Sequence, residues 1–279
     1  MKALVCSEFG STEDLELEER DNLEPGPGEV LIDVKAAGVN FPDILTIQGK
    51  YQFKPSLPFI PGTEVSGVVK KLGEGVTTRK VGDEVVGMVQ IGGFATQVVT
   101  SEFSTFSKSE NMSYEQAAGF AMTYGTSYYA LKQRAKIQPG ETLLVLGAAG
   151  GVGIASIQIA KAMGARVIAA ASSEDKLDFA CKAGADLRIN YSNENLKEKV
   201  KDLTKGKGAD VIYDPVGGDF SEQAFRAIAW DGRFLVIGFA SGPIPKMPLN
   251  LALLKGASMV GVFWGAWTVS YTHLRAHET

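Results

Sequence analysis

Short apolar runs separated by glycine and proline fill the first third of the chain. Runs of this length predict β-strands when turn signals such as Glu24–Gly28, Pro61–Gly62 and Val81–Asp83 lie between them. The predicted strands are Ala3–Cys6, Val30–Ala37, Val65–Leu72, Glu84–Val89 and Ala95–Thr100. Because no regular helix is predicted between these strands, we expect a partly closed antiparallel β domain.

From about Ser113 the hydrophobic pattern changes. Apolar residues at helical spacing predict helices over Tyr114–Gln133, with Gly125 as an interruption. Strands then alternate with helices, which predicts βαβ units around a parallel sheet. We expect the first domain to span 1–122 and the second 123–267. The alternating segments are Thr142–Leu146, Val152–Met163, Arg166–Ala171, Glu174–Ala183, Leu187–Ile189, Glu194–Asp202, Val211–Tyr213, Phe220–Ile228, Gly232–Ile237, Leu249–Leu254 and Ser258–Phe263.

The composition is that of an ordinary globular protein. Of 279 residues, 45% are hydrophobic and 22% are charged, and the formal net charge is −4. An acidic balance argues against a nucleic-acid partner and against attraction to an anionic membrane. Only Cys6 and Cys181 are present, which indicates reduced thiols rather than a disulfide framework. With no predicted signal peptide or spanning helix, we expect a cytoplasmic protein.

The strongest chemical signal is a glycine turn between a buried strand and a helix. The chain reads Gly147-Ala-Ala-Gly150-Gly-Val-Gly153 directly after the strand Thr142–Leu146. Such a turn brings the backbone close to a dinucleotide pyrophosphate, which binds the free N–H groups of the helix N-terminus. The predicted cofactor-binding residues of the turn are Ala148, Gly150, Gly151, Val152 and Gly153. A purely structural glycine turn is the alternative.

The end of the next strand bears on the choice between NADH and NADPH. NAD-selective sites place an acidic residue there, but this chain has Ala171 and Ser172. Ser172 and Lys176 can instead bind a 2′-phosphate. The nearby acids Glu174 and Asp175 suit the first turn of a helix. On these features alone, Lys176 fits a phosphate ligand and a solvated helix residue equally well.

Several short motifs along the chain share a recognisable pattern. They are Ala36–Asp43, Pro61–Gly67, Val81–Val85, Gly125–Tyr129, the glycine turn, Asp214–Gly218 and Gly238–Phe239. Together they resemble the medium-chain dehydrogenase/reductase superfamily, and within it the zinc-free quinone oxidoreductase branch that includes zeta-crystallin. The resemblance extends from Met1 to about Trp267. It implies a GroES-like catalytic β domain followed by a Rossmann NADP-binding domain.

The resemblance also implies that no zinc is bound. Zinc-dependent relatives have Cys where this chain has Asn40 and His where it has Thr63, and many have a cluster of four Cys for a second zinc. The only histidines, His273 and His277, are spaced to share a helix face, but no third ligand is apparent. We therefore expect no metal site.

Site residues follow from the same resemblance. Asn40, Asp43 and Tyr51 would lie in a cleft between the domains, beside the nicotinamide. Ser172, Lys176 and Tyr191 would surround the 2′-phosphate, which favours the functional interpretation of Lys176. Thr126 would contact the cofactor, and Phe239 and Phe263 would border the nicotinamide. Each has a structural alternative: Asn40 can hold its own loop, and Phe263 can belong to the core.

The expected activity is zinc-independent transfer of a hydride from NADPH to a quinone or another conjugated carbonyl acceptor. Tyr51 is the candidate to stabilise the developing oxyanion or deliver a proton, with Asn40 as a hydrogen-bond donor beside it. A 2-enoyl thioester reductase is the second interpretation, favoured if Lys50 and Lys54 form a basic mouth. A non-catalytic NADPH-binding protein, structural or RNA-binding, is the third.

The end of the sequence departs from the family pattern. Past Gly265 the chain becomes polar, and we expect 268–279 to be a non-native tail on a C-terminally truncated chain. The apolar segment Ser258–Trp264 is a predicted sheet edge, and an exposed edge favours pairing with a second copy. The resemblance likewise implies a homodimer through this strand.

Overall fold

The computed structural model describes residues 1–268. The chain divides into two units, Met1–Met122 and Thr123–Thr279. Apart from Thr268, the predicted tail lies outside the described residues, as do His273 and His277. Among the described residues, no helix is long and apolar enough to cross a membrane.

The first unit is built on a five-stranded antiparallel sheet with the order β6-β3-β4-β5-β7, accompanied by the two-stranded ribbon β1-β2. Apolar side chains from four strands of the sheet form its core, including Val30, Ile32, Val65 and Val85. The elements are β1 (Lys2–Val5), β2 (Glu16–Glu19), β3 (Glu29–Gly38), α1 (Phe41–Ile47), β4 (Glu64–Leu72), β5 (Glu84–Met88), β6 (Gln97–Ser101), β7 (Thr105–Ser107) and α2 (Tyr114–Ala118).

The expectation that no helix lies between the strands of this unit is wrong. Helix α1 follows β3, and Asn40 is its N-cap residue. The Asp43 carboxylate accepts a hydrogen bond from the Asn40 backbone N–H at 2.8 Å, and Pro42 occupies the first turn, where its missing N–H costs nothing. These local signals start a helix that is too short to show an apolar periodicity. The hydrophobic pattern also fails to predict the strands β2 and β7.

The second unit contains a six-stranded sheet in which all strands are parallel, as predicted. Its order, β10-β9-β8-β11-β12-β13, is the Rossmann order, with a switch point between β8 and β11. The elements are α3 (Ala121–Tyr128), which begins at the division between the units, a π-helix (Tyr129–Arg134), β8 (Thr142–Leu146), α4 (Gly151–Ala162), β9 (Arg166–Ala171), α5 (Glu174–Lys182), β10 (Leu187–Asn190), α6 (Leu196–Leu203), β11 (Ala209–Asp214), α7 (Asp219–Arg226), β12 (Ile228–Val236), α8 (Leu249–Lys255) and β13 (Ser258–Gly261).

The sheet is covered on both faces. Every residue of β8 is buried, and its side chains alternate between two apolar clusters: Leu143 and Val145 belong to one, Leu144 and Leu146 to the other. A continuous apolar run is typical of such a doubly covered parallel strand. This burial holds the carboxyl end of β8, where the glycine turn begins, in a fixed position.

Two element predictions in this unit need correction. Gly125 does not interrupt a helix but lies inside α3. A Cβ atom at this position would lie only 2.5 Å from Cζ2 of Trp264, so glycine is required by the indole packed against it. The predicted helix Phe220–Ile228 ends at Arg226, and Ile228 already begins the strand whose predicted start is Gly232.

Candidate functional site

The glycine turn connects β8 to α4 with the geometry that a dinucleotide-binding turn needs. Gly147 has a positive φ of 57°, and its carbonyl accepts a hydrogen bond from the Gly150 N–H at 2.9 Å. Gly150 is the N-cap of α4 and has no side chain to occupy the helix N-terminus. The N–H groups of the first turn have no carbonyl partner within the helix. They are therefore available to an anionic group.

Gly153 allows the helix and the turn to touch. A Cβ atom at Gly153 would lie 2.6 Å from the Gly147 carbonyl oxygen and 2.7 Å from that of Ala148. Both obstacles are backbone atoms that cannot rotate away. Ala148 itself is completely buried, so it shapes the turn from within. The close approach predicted for Gly153 is thus present in the structure.

A second loop meets the glycine turn at the switch point. It follows β11, and the Asp214 carboxylate holds it by accepting hydrogen bonds from the N–H groups of Val216 (2.8 Å) and Gly217 (2.9 Å) and from Ser221 Oγ (2.5 Å). The Val216 side chain packs against Gly147: a Cβ atom at residue 147 would lie 2.9 Å from Cγ2 of Val216. In open α/β sheets, ligands bind at such a switch point.

The three residues predicted around the 2′-phosphate lie together beyond the end of β9. Lys176 Nζ donates a hydrogen bond to Ser172 Oγ at 3.0 Å. Tyr191 is hydrogen-bonded to Ser172. This hydrogen bond lowers the pKa of the Tyr191 phenol, but burial has the larger effect and the pKa is raised. Ser192 Oγ donates to the Ser172 carbonyl at 2.9 Å. A cation and several hydroxyl groups therefore gather where an NAD-selective site has a carboxylate.

The acids beside this group have another role. Glu174 and Asp175 occupy the first turn of α5, as predicted. Glu174 accepts a hydrogen bond from Asn190 Nδ2 at 2.7 Å, which joins the start of α5 to the end of β10. This contact gives Glu174 a structural function.

The remaining residues predicted to contact the cofactor differ in their surroundings. Phe263 follows β13 and is 55% exposed, so it does not belong to the core. Phe239 is half-buried against Gly217, with Cδ1 3.0 Å from where a Cβ atom of residue 217 would be. Thr126 lies on α3 next to Ser127, whose Oγ contacts the Tyr213 hydroxyl (2.9 Å) and donates to the Val152 carbonyl (3.1 Å). Through Ser127, α3 is fixed to the first turn of the glycine helix.

In the first unit, four polar side chains form one network around the start of α1. Asn40 Nδ2 donates to Glu64 Oε1 at 2.9 Å, and Thr63 Oγ1 donates to Asp43 Oδ1 at 3.1 Å. Asp43 is 2% exposed and Glu64 is completely buried. The two positions that carry metal ligands in the zinc-dependent pattern, 40 and 63, therefore hold hydrogen-bond donors directed at carboxylates.

Burial dominates the electrostatics of this network. It raises the pKa of Asp43 to about 6, against the opposing hydrogen bonds from Asn40 and Thr63. It also raises the pKa of Glu64, and the Asp43 charge adds to that effect. The pKa of Tyr51 is raised first by burial and then by the charge of Asp43. The structure thus places the predicted residues Asn40, Asp43 and Tyr51 in one electrostatic neighbourhood.

Sequence reasoning missed Glu64 as part of this network. Its hydrogen-bond partners Asn40 and Met122 are 24 and 58 residues away in the sequence. No local pattern around Glu64 therefore indicates that its carboxylate is buried and hydrogen-bonded. Within residues 1–268, no group of three or more His, Cys, Asp or Glu side chains is arranged to hold a metal ion.

Two family models match the chain. Residues 26–137 match the alcohol dehydrogenase GroES-like domain, and residues 151–276 match the zinc-binding dehydrogenase family. The chain is 45% identical over 268 residues to a quinone oxidoreductase-like protein 2 homolog from Nematostella vectensis, covering 95% of the chain and 73% of that protein. It is 43% identical to the Rattus norvegicus quinone oxidoreductase-like protein 2, covering 95% of the chain and 76% of that protein.

Solved structures agree with these relatives. The Escherichia coli quinone oxidoreductase complexed with NADPH has a TM-score of 0.90 and is 33% identical, covering 95% of this chain and 82% of that chain. The CurK enoyl reductase has a TM-score of 0.87 and is 29% identical, covering 96% and 82% of the two chains.

The Rossmann sheet, its glycine turn and the preceding antiparallel β unit define an oxidoreductase of the medium-chain dehydrogenase/reductase class. Within that superfamily the chain belongs to the quinone oxidoreductase branch. The family resemblance and the fold class predicted from the sequence are confirmed.

Proposed function

We propose that this protein uses NADPH to reduce a quinone or another conjugated carbonyl acceptor, without zinc, in the cytoplasm. The observation that carries the choice of cofactor is the group formed by Ser172, Lys176 and Tyr191. Its cation and hydroxyl groups suit a 2′-phosphate, and no carboxylate stands at the end of β9 to select the ribose 2′-hydroxyl of NADH. The relative from Escherichia coli was solved with NADPH, which supports the same assignment.

The rest of the nucleotide would be held by residues already named. The pyrophosphate would bind the backbone of Gly150–Gly153 at the N-terminus of α4. Ala148 shapes that turn, and Thr126 would contact the cofactor from α3. The two aromatic side chains Phe239 and Phe263 would border the nicotinamide; the exposure of Phe263 leaves its ring free to do so.

When bound, NADPH supplies the hydride that the acceptor receives. The protein must then stabilise the negative charge that develops on the acceptor oxygen. Tyr51 is the proposed donor for that oxygen, because a tyrosine phenol is protonated near neutral pH and can donate its proton in a hydrogen bond. Burial and the Asp43 charge both raise the pKa of this phenol, so the neutral form also predominates well above neutral pH.

Zinc independence is supported by the chemistry of the donor set. The Asn40 amide and the Thr63 hydroxyl donate hydrogen bonds to Glu64 and Asp43. They are poor replacements for the thiolate and imidazole that bind catalytic zinc. A conjugated acceptor suits such a site. The negative charge that develops during hydride transfer is delocalised away from the attacked carbon, so no Lewis acid is needed to stabilise it.

Titration with NADPH and NADH tests the cofactor assignment. Lys176→Ala should weaken NADPH binding about tenfold or more, the value of one charge-assisted hydrogen bond, and leave NADH binding unchanged. Lys182→Ala is the matched control, because Lys182 lies in the last turn of the same helix. Nucleotide fluorescence measures both affinities. Equal losses in the two variants, or equal binding of the two nucleotides by the wild type, would contradict the assignment.

A panel of acceptors tests the reaction. We expect NADPH oxidation with 1,4-benzoquinone or a simple enone and none with unconjugated ketones. The second candidate function is reduction of a 2-enoyl thioester, which the structural likeness to the CurK enoyl reductase favours. Lys50 and Lys54 are both exposed, and Lys50 Nζ donates to Gln48. Faster turnover of crotonyl-CoA than of any quinone would establish this second function instead.

A homodimer through the edge of the Rossmann sheet is also proposed. β13 pairs only with β12 among the described strands, so its other edge can pair with a second copy. Met259 on this strand is a partly exposed apolar residue, and Phe263 follows shortly after it. An apolar edge of this kind is typical of a surface that is covered in the assembled protein.

A further inference from the structure

Hydrogen bonds hold the Glu64 carboxylate on both sides. It is completely buried at the start of β4, and both carboxylate oxygens accept hydrogen bonds. Oε1 accepts from Asn40 Nδ2 and Oε2 from the Met122 backbone N–H, each at 2.9 Å. The Ala121 N–H is a further donor to the carboxylate. Ala121 and Met122 are the last two residues of the first unit, so backbone fixes the position of Glu64 on one side.

This arrangement determines which way the Asn40 amide faces. An ionised carboxylate only accepts hydrogen bonds, so the amide must turn its NH₂ group, and not its oxygen, toward Glu64. The Asp43 N–H donates to the Asn40 backbone carbonyl at 3.0 Å and also faces the Asn40 side chain in a capping box, which uses at most one of the two acceptor sites of Oδ1. The Oδ1 atom of this half-buried residue is therefore the acceptor that Asn40 can offer to a ligand.

We infer that Glu64 is a positioning residue that makes Asn40 a hydrogen-bond acceptor for an N–H group of the ligand, rather than a donor to the acceptor oxygen. The inference rests on the proposed function, which supplies such a group in the carboxamide NH₂ of the nicotinamide. Tyr51 alone would then donate a hydrogen bond to the developing oxyanion. The carboxamide contact would distinguish a nicotinamide from a ring that carries only a carbonyl substituent.

A dinucleotide without the carboxamide NH₂ tests this directly. In 3-acetylpyridine adenine dinucleotide phosphate, an acetyl group replaces the carboxamide, so the carbonyl remains and the N–H donors are lost. Wild-type protein should bind NADP⁺ about tenfold more tightly than this analogue, the value of one buried hydrogen bond. Equal affinity for the two dinucleotides would mean that Asn40 donates through its second N–H, and would overturn the inference.

Two variants exchange donor and acceptor while keeping the hydrogen bonds. In Glu64→Gln, the new amide oxygen can accept from Met122 while its NH₂ faces Asn40, whose amide must then turn its NH₂ toward the ligand. The tenfold preference should fall to about one. Adding Asn40→Asp to Glu64→Gln gives residue 40 two acceptor oxygens, one for the amide at position 64 and one for the ligand. The preference should return in this double variant.

A merely structural role of Glu64 would not produce this pattern. Glu102→Gln is the matched control: Glu102 is also buried and accepts from the N–H groups of Thr77 and Thr78. It should lower the urea midpoint without changing the NADP⁺ preference. Asn40→Ala gives a further measurement should Glu64→Gln not fold, and it should remove the preference.

Calorimetry measures the affinities for NADP⁺ and for its analogue, so the inference is tested without an electron acceptor. A protein that binds NADP⁺ with the expected preference but reduces no acceptor would refute the proposed reaction and keep the inference. A preference that Glu64→Gln leaves at its wild-type value would refute the inference and keep the reaction. Absence of any NADP⁺ binding by the wild-type protein would overturn both, and the same titration would show it at the first step.

Discussion

Adding one methyl group at Gly153 and, separately, at Gly150 should separate the two tasks of the glycine turn. At Gly153 the new Cβ atom would lie 2.6 Å from the Gly147 carbonyl oxygen, whereas ordinary contact begins near 3.4 Å. Helix α4 would have to retreat by about 0.8 Å, the difference between these distances. Overpacking of this kind costs roughly 1–3 kcal/mol, and the better helix propensity of alanine returns up to about 1 kcal/mol.

We expect Gly153→Ala to lower the free energy of unfolding by about 2 kcal/mol, because the obstacles are backbone atoms of a buried turn. With a urea slope of about 2 kcal/mol per M, the unfolding midpoint of the second unit would fall by about 1 M. Far-UV circular dichroism over a urea series measures this shift. Binding of NADPH should weaken as well, since the helix N-terminus moves with α4.

Gly150→Ala should show the opposite pattern. Gly150 has an extended backbone (φ −73°, ψ 165°) that alanine adopts freely, and its Cβ atom would be 3.3 Å from the Gly147 oxygen. The free energy of unfolding should change by less than about 1 kcal/mol. Because the methyl group would stand where the proposed pyrophosphate meets the backbone, NADPH affinity should fall at least about tenfold. An unchanged midpoint in Gly153→Ala, or equal destabilisation by both substitutions, would refute the reasoning.

Two further expectations concern the buried acid and the sheet edge. The pKa of Asp43 is raised to about 6, so between about pH 4 and pH 6 the folded protein holds a proton that the unfolded chain has lost. The free energy of unfolding should therefore fall by roughly 2–3 kcal/mol as the pH rises through that window. Asp43→Asn should flatten this fall in urea midpoints measured from pH 4 to 7, leaving the part due to Glu64, whose raised pKa acts with the same sign; an unchanged profile would count against it. Met259→Lys places a charge on the exposed edge strand and should convert the proposed dimer to a monomer by light scattering at micromolar concentration; a wild-type monomer would contradict the dimer itself.

The parts of the fold that depend on neighbouring residues could be predicted from the sequence. The apolar strand β8, the glycine turn and α4 follow one another within about twenty residues, and each requirement of the turn has its own residue. The pattern misses helix α1 although its signals are equally local, because seven residues between strands show no periodicity. Gly125 escapes prediction for another reason. The ring that requires glycine there belongs to Trp264, far along the chain.

The acid that completes the first unit's network illustrates what local reasoning leaves out. Glu64 follows Thr63, where zinc-dependent relatives have a histidine ligand. Comparison with the zinc motif therefore shows only that this ligand is absent. What the segment contains is a buried carboxylate, which needs donors because burying an unsatisfied charge is costly. Asn40 and Met122 of the same unit supply those donors from distant parts of the sequence. Glu64 in turn decides which atom Asn40 can offer. The chemistry of residue 40 therefore cannot be read from its own identity, and the substitution most informative about it is made at residue 64.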